Sequence, residues 1–389
     1  MDSIPLEKEF IGAIEDIVRF LRGKDYSRVV QLPYKKGNIF SVINDLGFFL
    51  GRKEAMFKSS FLYRLRRWLF SDKELMVLCD FFMQNKKASY SRVSSFLGDE
   101  KVRDLLKLNI LTAESQKDGN TLLKSQVRII PFNGEYFVCD PLDRRIPDFV
   151  WIGSDSILLA ERLKRLNCDG KLAIDIGSGS GIQAIALSTG PNTRVIAIDI
   201  NEKGLRYAKL NAIINKKPNI RFVRSDMLSA IRGRIDTIVS NPPFVFLPPS
   251  EETVNRDGYG GAYGIEKTIY ILERIPQYLN PGGKAVLLTL SPVISGKNIL
   301  MEEVKRIFDG NYAIDYEIID YVYMSGLKKL YDSENISYFI QGILKVLKNG
   351  AGGHAVQISA QDIPRIKKML SFIKIIGKKT FAKNHADAV

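Results

Sequence analysis

The sequence predicts an α/β protein: a Rossmann-like, doubly wound sheet of seven strands, preceded by a mainly helical region. Three observations carry this expectation. An apolar strand at 172–174 runs into a glycine turn, Gly177, Gly179 and Gly181, and then into a helix at 182–188. That strand–turn–helix opens many nucleotide-binding units. Strand and helix patterns then alternate as far as residue 290, as parallel strands joined by crossovers require. Ahead of residue 110 the apolar spacing is helical.

Composition bounds the rest. A chain of 389 residues has room for two domains, and its 45% apolar content is enough for sizeable cores. Lys and Arg exceed Asp and Glu by 57 to 43, for a net charge of +14. That excess favours a polyanionic partner such as nucleic acid, although many basic proteins are merely soluble and basic. Cys79, Cys139 and Cys168 lie far apart and the two histidines, His354 and His385, stand near the end. A metal site or a Cys/His nucleophile is therefore not expected; buried thiols in a reducing compartment are. The first residues mix acids with apolar side chains and resemble neither a signal nor a transit peptide. No apolar run approaches the ~20 residues of a membrane span. A cytoplasmic protein is expected.

Residues 1–145 are expected to form the front domain. Ile4, Ile11, Ile14, Val18 and Leu21 predict a surface helix. The stretch 59–69 interleaves Phe61, Tyr63 and Trp68 with Arg64, Arg66 and Arg67. It faces either nucleic acid or, the favoured reading, the core with its arginines in water. Helices follow at 72–84, with Ser71 or Asp72 as cap, and at 90–97 and 101–108. Two β-rich runs, 122–132 and 135–139, meet at Asn133-Gly134, the strongest short hairpin signal. Helices followed by a ribbon suggest a winged-helix-like module, which serves for nucleic-acid binding or for packing. Asp140-Pro141 and Arg145-Ile146-Pro147 mark a linker.

The catalytic domain is expected over 146–350. The stretch 151–165 opens with WIGSDS and continues as an apolar-periodic helix, with Ser154 or Asp155 suited to cap it. The glycine turn is not the dinucleotide fingerprint, because Ile182 stands where that pattern needs glycine. A second strand, 194–200, ends in Asp199, 22 residues after Gly177, where a carboxylate can accept from both hydroxyls of a ribose. Asn201 caps the next helix. A third strand, 220–223, leads to Asp226 and Met227; Asp226 suits an adenine amino group or a helix N-cap, and Met227 or Ile200 suits stacking on the ring.

The fourth strand, 235–240, ends in Asn241-Pro242-Pro243-Phe244. Two prolines hold the backbone extended. Asn241 supplies a side-chain carbonyl, Pro242 a main-chain one, and Phe244 a flat apolar face. That set matches a planar substrate bearing an NH2 group; the plain alternative is a turn with an aromatic plug.

The series DIGSGSG, Asp199, Asp226 and NPPF resembles the class I S-adenosylmethionine-dependent methyltransferases, and within them the NPP[YF] amino-methyltransferases. These include adenine-N6 and guanine-N2 nucleic-acid enzymes and the release-factor glutamine-N5 enzymes. Small-domain methyltransferases with a winged-helix-like front are similar too, including an Arg-Asp-Gly segment, here Arg256-Asp257-Gly258. The resemblance covers about residues 120–345 and implies a class I methyltransferase domain that uses S-adenosylmethionine. It implies that Asp175 supports the methionine end of the donor. Phe244 departs from the tyrosine usual in the glutamine and adenine enzymes, and the acceptor loop has its own length.

Beyond the motif, the glycine- and tyrosine-rich stretch 245–264 predicts a lid over the acceptor or a disordered insert. A helix at 268–279 and strands at 284–290, 314–322 and 337–347 complete the sheet, the last two as an antiparallel pair. Residues 323–331 suggest a second acceptor loop. Within the basic extension 351–389, the tail from Gln361 is expected to form an amphipathic helix that touches phosphate or, the favoured reading, packs on the domain. The expected donor site is Asp175, Gly177, Gly179, Gly181, Asp199, Ile200, Asp226, Met227 and Asn241. The expected catalytic residues are Asn241, Pro242 and Phe244. The expected activity is N-methylation of a nucleic-acid base, RNA or DNA. A protein glutamine, a small molecule and a non-catalytic donor-binding protein rank behind.

Overall fold

The computed structural model describes residues 4–29, 73–143, 146–245, 258–308, 310–322 and 336–349. The expected basic-aromatic stretch 59–69, the Ser71 or Asp72 cap, the Arg-Asp segment at 256–257, the loop 323–331 and the extension 351–389 lie outside them.

The sheet that carries the site is built from β6 (Leu172–Ile176), β7 (Arg194–Asp199), β8 (Ile220–Arg224), β9 (Ile235–Ser240), β10 (Leu279–Ile294), β12 (Tyr312–Val322) and β13 (Ile336–Lys348). Its order is β12-β13-β10-β9-β6-β7-β8, with the two-residue strand β11 (Lys297–Asn298) pairing only with β10. Strands β8 to β10 run parallel, and β13 is antiparallel to both β10 and β12. The central strands β6 and β9 are apolar on both faces because both are covered. Ala173, Val195, Ala197 and Val239 face one core; Ile174, Ile198, Ile238 and Leu287 face the other. The order in which strands are added reverses between β6 and β9, so the crevice at their C-terminal ends is the topological switch point where ligands bind in such sheets.

The front region departs from expectation in its ribbon. Helix α1 (Lys8–Gly23) packs Phe10, Ile14, Ile17 and Leu21 inward. Helix α2 (Lys73–Leu78) continues as a π-turn (Cys79–Met83). The short strand β1 (Ala88–Ser89) precedes α3 (Tyr90–Leu97), capped by Ser89, whose hydroxyl accepts from Arg92 N. Next come α4 (Asp99–Lys107), β2 (Leu111–Ser115) and β3 (Thr121–Ser125). These strands form a sheet in the order β1-β3-β2. The run 122–132 is thus two strands, not one. It breaks where the Ser125 hydroxyl turns back to donate to Val127 O. The remainder is β4 (Arg128–Phe132), which pairs with β5 (Glu135–Cys139) across Asn133 and Gly134, both at positive φ, as a type I′ turn demands.

That hairpin joins two cores. Ile129, Tyr136 and Val138 point into the front core with α1 to α4, while Ile130, Phe132, Phe137 and Cys139 point into the core under the main sheet. The alternation follows directly from the period of a strand. The outer edge of β5 is paired by side chains of α7 (Glu202–Ile214) and the residue that ends it. Asn211 Oδ1 accepts from Val138 N at 2.7 Å and its Nδ2 donates to Val138 O at 2.9 Å. Asn215 does the same for Tyr136, at 2.9 and 2.7 Å. At i and i+4 the two amides share one helix face and replace a neighbouring strand.

Asp140, expected in a linker, is fully buried. Lys203 Nζ lies 2.8 Å from its Oδ2, and the Tyr207 hydroxyl and Val150 N donate to it at 2.7 and 2.8 Å. The segment after β5 is therefore clamped to α7, since a buried charge persists only when paired. The helix expected at 268–279 splits into α8 (Glu266–Leu272) and α9 (Ile275–Tyr278), with Pro276 in its first turn, where the missing N–H costs nothing.

Candidate active site

Strand β6 delivers the chain into Gly177–Gly181 at the switch point. Gly177, Gly179 and Gly181 all have positive φ, at 69°, 49° and 79°, the region glycine enters without strain. They divide into two roles. A Cβ on Gly177 or Gly179 would meet open space, and both residues line a cavity of about 810 Å³. A Cβ on Gly181 would come within 2.8 Å of Ala208 Cβ, and Gly181 is not among the cavity's lining residues. Gly181 lets α6 (Ile182–Leu187) pack against α7.

Asp175 also lies beneath the cavity rather than on its wall. Its Oδ2 accepts from Ser178 Oγ at 2.7 Å and from Ala184 N at 3.0 Å, while Oδ1 is buried without a partner. Burial pushes this carboxyl up to about 7, only partly opposed by those hydrogen bonds. What Asp175 holds is the turn itself and the first turn of α6.

Asp199, Ile200, Asp226 and Met227 reach the cavity from the ends of β7 and β8. Asp199 Oδ2 accepts from Gly179 N at 2.6 Å and Oδ1 from Asn201 N at 2.8 Å. Each carboxylate oxygen keeps a further lone pair for a ligand. Burial raises the Asp199 carboxyl above its ordinary value. Ile200 is 50% exposed at the rim, a flat apolar surface open to a ring. Met227 holds a φ of 44°, unusual for a non-glycine residue. Asn201 caps α7 as expected, accepting from Gly204 N at 3.1 Å.

Across the cavity stands Asn241, at the tip of β9. The Ser240 hydroxyl donates to Ile176 O at 2.8 Å, tying the ends of β9 and β6 together. Asn241 Nδ2 donates to Asp155 Oδ2 at 2.8 Å and to Ser156 Oγ at 3.1 Å, while its Oδ1 is buried with no partner. The opposite amide orientation would set a carbonyl against the Asp155 carboxylate. Pro242, Pro243 and Phe244 line the same wall. Val245 N donates to Gly258 O at 2.8 Å and Gly260 N to Val245 O at 2.9 Å. A Cβ on Gly260 would approach Phe244 Cα to 2.8 Å, so the return of the acceptor loop packs directly on the motif.

The sequence reading treated Asp155 only as a helix cap. The cap of α5 (Ser154–Leu163) is Gly153, and it makes no side-chain bond. Asp155 is turned to Asn241 instead, and burial raises its carboxyl. Nothing in a spacing of 86 residues announces that pair. Trp151 was missed as well: it lines the cavity, stacks on Phe149 at 6.0 Å and has the Arg128 guanidinium over its ring at 4.8 Å. Arg128 Nε donates to Met83 O at 2.8 Å, so the front region buttresses this wall. Cys79, Cys139 and Cys168 are free and buried, and burial pushes the Cys139 thiol up to about 11, which leaves it inert. Among the described residues no helix is long and apolar enough to cross a membrane.

Residues 151–255 match the family described as Methyltransferase small domain. A structure of a methyltransferase from Pyrococcus furiosus overlaps with a TM-score of 0.35 at 24% identity, over 50% of this chain and 83% of that one. The release factor glutamine methyltransferase of Lactococcus lactis is 40% identical over 100 residues, which are 25% of this chain and 35% of that enzyme. A protein of Methanocaldococcus jannaschii, provisionally named a protein N5-glutamine methyltransferase, is 30% identical over 165 residues, 41% of this chain and 80% of its own length. The last similarity spans most of the relative and, with the family match, shows the enzymatic class. The chain belongs to the class I S-adenosylmethionine-dependent methyltransferases.

Proposed function

We propose that the enzyme methylates a planar NH2 group, and that the observation carrying this reading is the orphaned carbonyl of Asn241. A buried acceptor without a donor is costly, and an amine N–H supplies that donor. Pro242 O is a second acceptor, as a proline carbonyl at the end of an extended turn, and Phe244 supplies a face for the substrate plane. Two acceptors on one amine hold its nitrogen lone pair in one direction.

The donor wall fits S-adenosylmethionine on its own chemistry. Gly177 and Gly179 leave open the space that side chains would fill. Asp199 has carboxylate lone pairs for the ribose hydroxyls, Ile200 and Met227 have apolar surface for the adenine, and Asp226 has an acceptor for its amino group. Asp175 supports the methionine end through the turn it holds, not by direct contact. When bound, the donor supplies a methyl group on a sulfonium. The contribution of this chain is positioning, for which ~7–11 kcal/mol is the upper range known for aligned reactants.

For the acceptor we favour a nucleic-acid base amine, adenine N6 or guanine N2. Support comes from charge: residues 59–69 carry three arginines and no acid, and residues 361–389 carry seven Lys or Arg against two Asp. The region before the main sheet reads as a winged-helix-like module, but α4 would not be its cationic surface. It sets Asp99, Glu100 and Asp104 against Lys101, Arg103 and Lys107 and so carries no net charge. A protein glutamine amide is the second reading, favoured by the name of the M. jannaschii relative. Asn241→Ala should abolish turnover and leave donor affinity within about twofold. Incubation with methyl-tritiated donor and a cell extract, followed by nuclease or protease, separates the two acceptors. Nuclease-released label with binding that weakens steeply in salt supports the first; protease-released label overturns it.

A further inference from the structure

We propose that Asp155 and Ser156 are positioning residues that lock the Asn241 amide with its carbonyl toward the acceptor. The inference rests on the reading of Asn241 as the amine clamp.

An unconstrained asparagine amide rotates about its last bond and presents NH2 as readily as C=O. Presenting NH2 to a substrate amine would set donor against donor. Here both outward contacts of Nδ2 are taken on one side, by Asp155 Oδ2 at 2.8 Å and Ser156 Oγ at 3.1 Å. A carboxylate only accepts, so Asp155 discriminates the two orientations by charge as well as by geometry. The pair is itself immobilised. Both residues sit in the first turn of α5, and Ser156 O accepts from the buried Gln183 Nε2 at 3.3 Å. Gly153 completes the arrangement: any Cβ there would collide with Asp155 Oδ1 and Trp151 Nε1. The missing side chain at Gly153 therefore leaves the room that the carboxylate occupies. In this way α5, which follows directly on the clamped segment from the front region, sets the polarity of the residue at the tip of β9.

The test pairs an exchange measurement with a rate. Asparagine side chains of the full chain are labelled with ¹⁵N, and the Asn241 resonance is assigned by its loss in Asn241→Asp. The expected result is a slowly exchanging Asn241 NH2 in the parent protein and at least tenfold faster exchange in Asp155→Ala. Methylation of protein-free RNA, or of RNA-free protein, from a cell extract should then fall on the order of 100-fold. Calorimetric affinity for S-adenosylmethionine should stay within about twofold. An amide that exchanges as fast in the parent as in Asp155→Ala overturns the inference and leaves the amine-clamp reading standing. Released exchange with an unchanged rate overturns both. A rate and donor affinity that fall together overturn the inference too, placing Asp155 in the donor site. Exchange needs no acceptor, so it decides the contact even where neither fraction takes label. Should Asp155→Ala not fold, Asp155→Asn must show both changes in smaller measure.

Discussion

Asn211 offers the sharpest test of how the fold supports the site. Its side chain is fully buried and makes three hydrogen bonds: from Val138 N at 2.7 Å, to Val138 O at 2.9 Å and to Ser180 O at 2.8 Å. Asn211→Ala removes all three and leaves a buried N–H and two carbonyls with no partner. An orphaned buried donor costs about 1–3 kcal/mol and an under-satisfied carbonyl less, so the sum is about 3–5 kcal/mol. Asn215 makes the equivalent pair of bonds to Tyr136 but is only part-buried. Water can replace it, and Asn215→Ala should cost about 1 kcal/mol. Urea unfolding checks both, read as a shift in midpoint at unchanged slope. Because Ser180 lies in the glycine turn, Asn211→Ala should also weaken donor binding. A loss below 1 kcal/mol at Asn211, or a greater loss at Asn215, would refute the idea that these amides act as the missing strand.

Two further outcomes follow from the same geometry. Gly181→Ala should destabilise by about 1–3 kcal/mol through its clash with Ala208 and its positive φ. Gly179→Ala bears only the backbone strain, so it should melt closer to the parent while losing more donor affinity; thermal scans and calorimetry on both variants test the division. For Asp175, a carboxyl raised to about 7 from an ordinary 3.8 favours the folded state while it is protonated. Its contribution is full below about pH 3.8 and fades as pH rises through about 7, up to about 4 kcal/mol. Asp175→Asn should flatten that slope in donor-free protein, and a parallel pH dependence of the two midpoints would contradict it.

The main sheet was legible because its central strands, such as β6 and β9, are apolar on both faces and end in a turn or motif residue. The Asn133-Gly134 hairpin and the Asn201 cap announced themselves for the same local reason. Strand β2 did not: only Leu111 is buried, and its other four residues, Thr-Ala-Glu-Ser, face solvent, so no alternation marks it. Its partner β3 was merged with β4 because Ser125 to Val127 carries neither glycine nor proline to signal a break. Within the site, Asp199, Ile200, Asp226, Met227 and Asn241 were readable from their place at strand ends. Gly181 and Asp175, expected at the donor, lie behind the cavity wall instead. The glycine's constraint comes from Ala208 on another helix, and the carboxylate turns inward to Ser178 and Ala184. Asp155 and Trp151 were invisible for a different reason. Their roles depend on tertiary contacts with Asn241 and Arg128, and no periodicity in a single chain records such a contact.

The central claim is that Asn241 offers its carbonyl to an amine. It is tested most directly by locating the transferred methyl group. Product made with methyl-tritiated S-adenosylmethionine is digested to nucleosides and to amino acids, and the labelled component is identified by chromatography and mass. Label on an exocyclic base nitrogen, or on the amide nitrogen of glutamine, is the predicted result. Label on an oxygen, a sulfur or a ring carbon would contradict it.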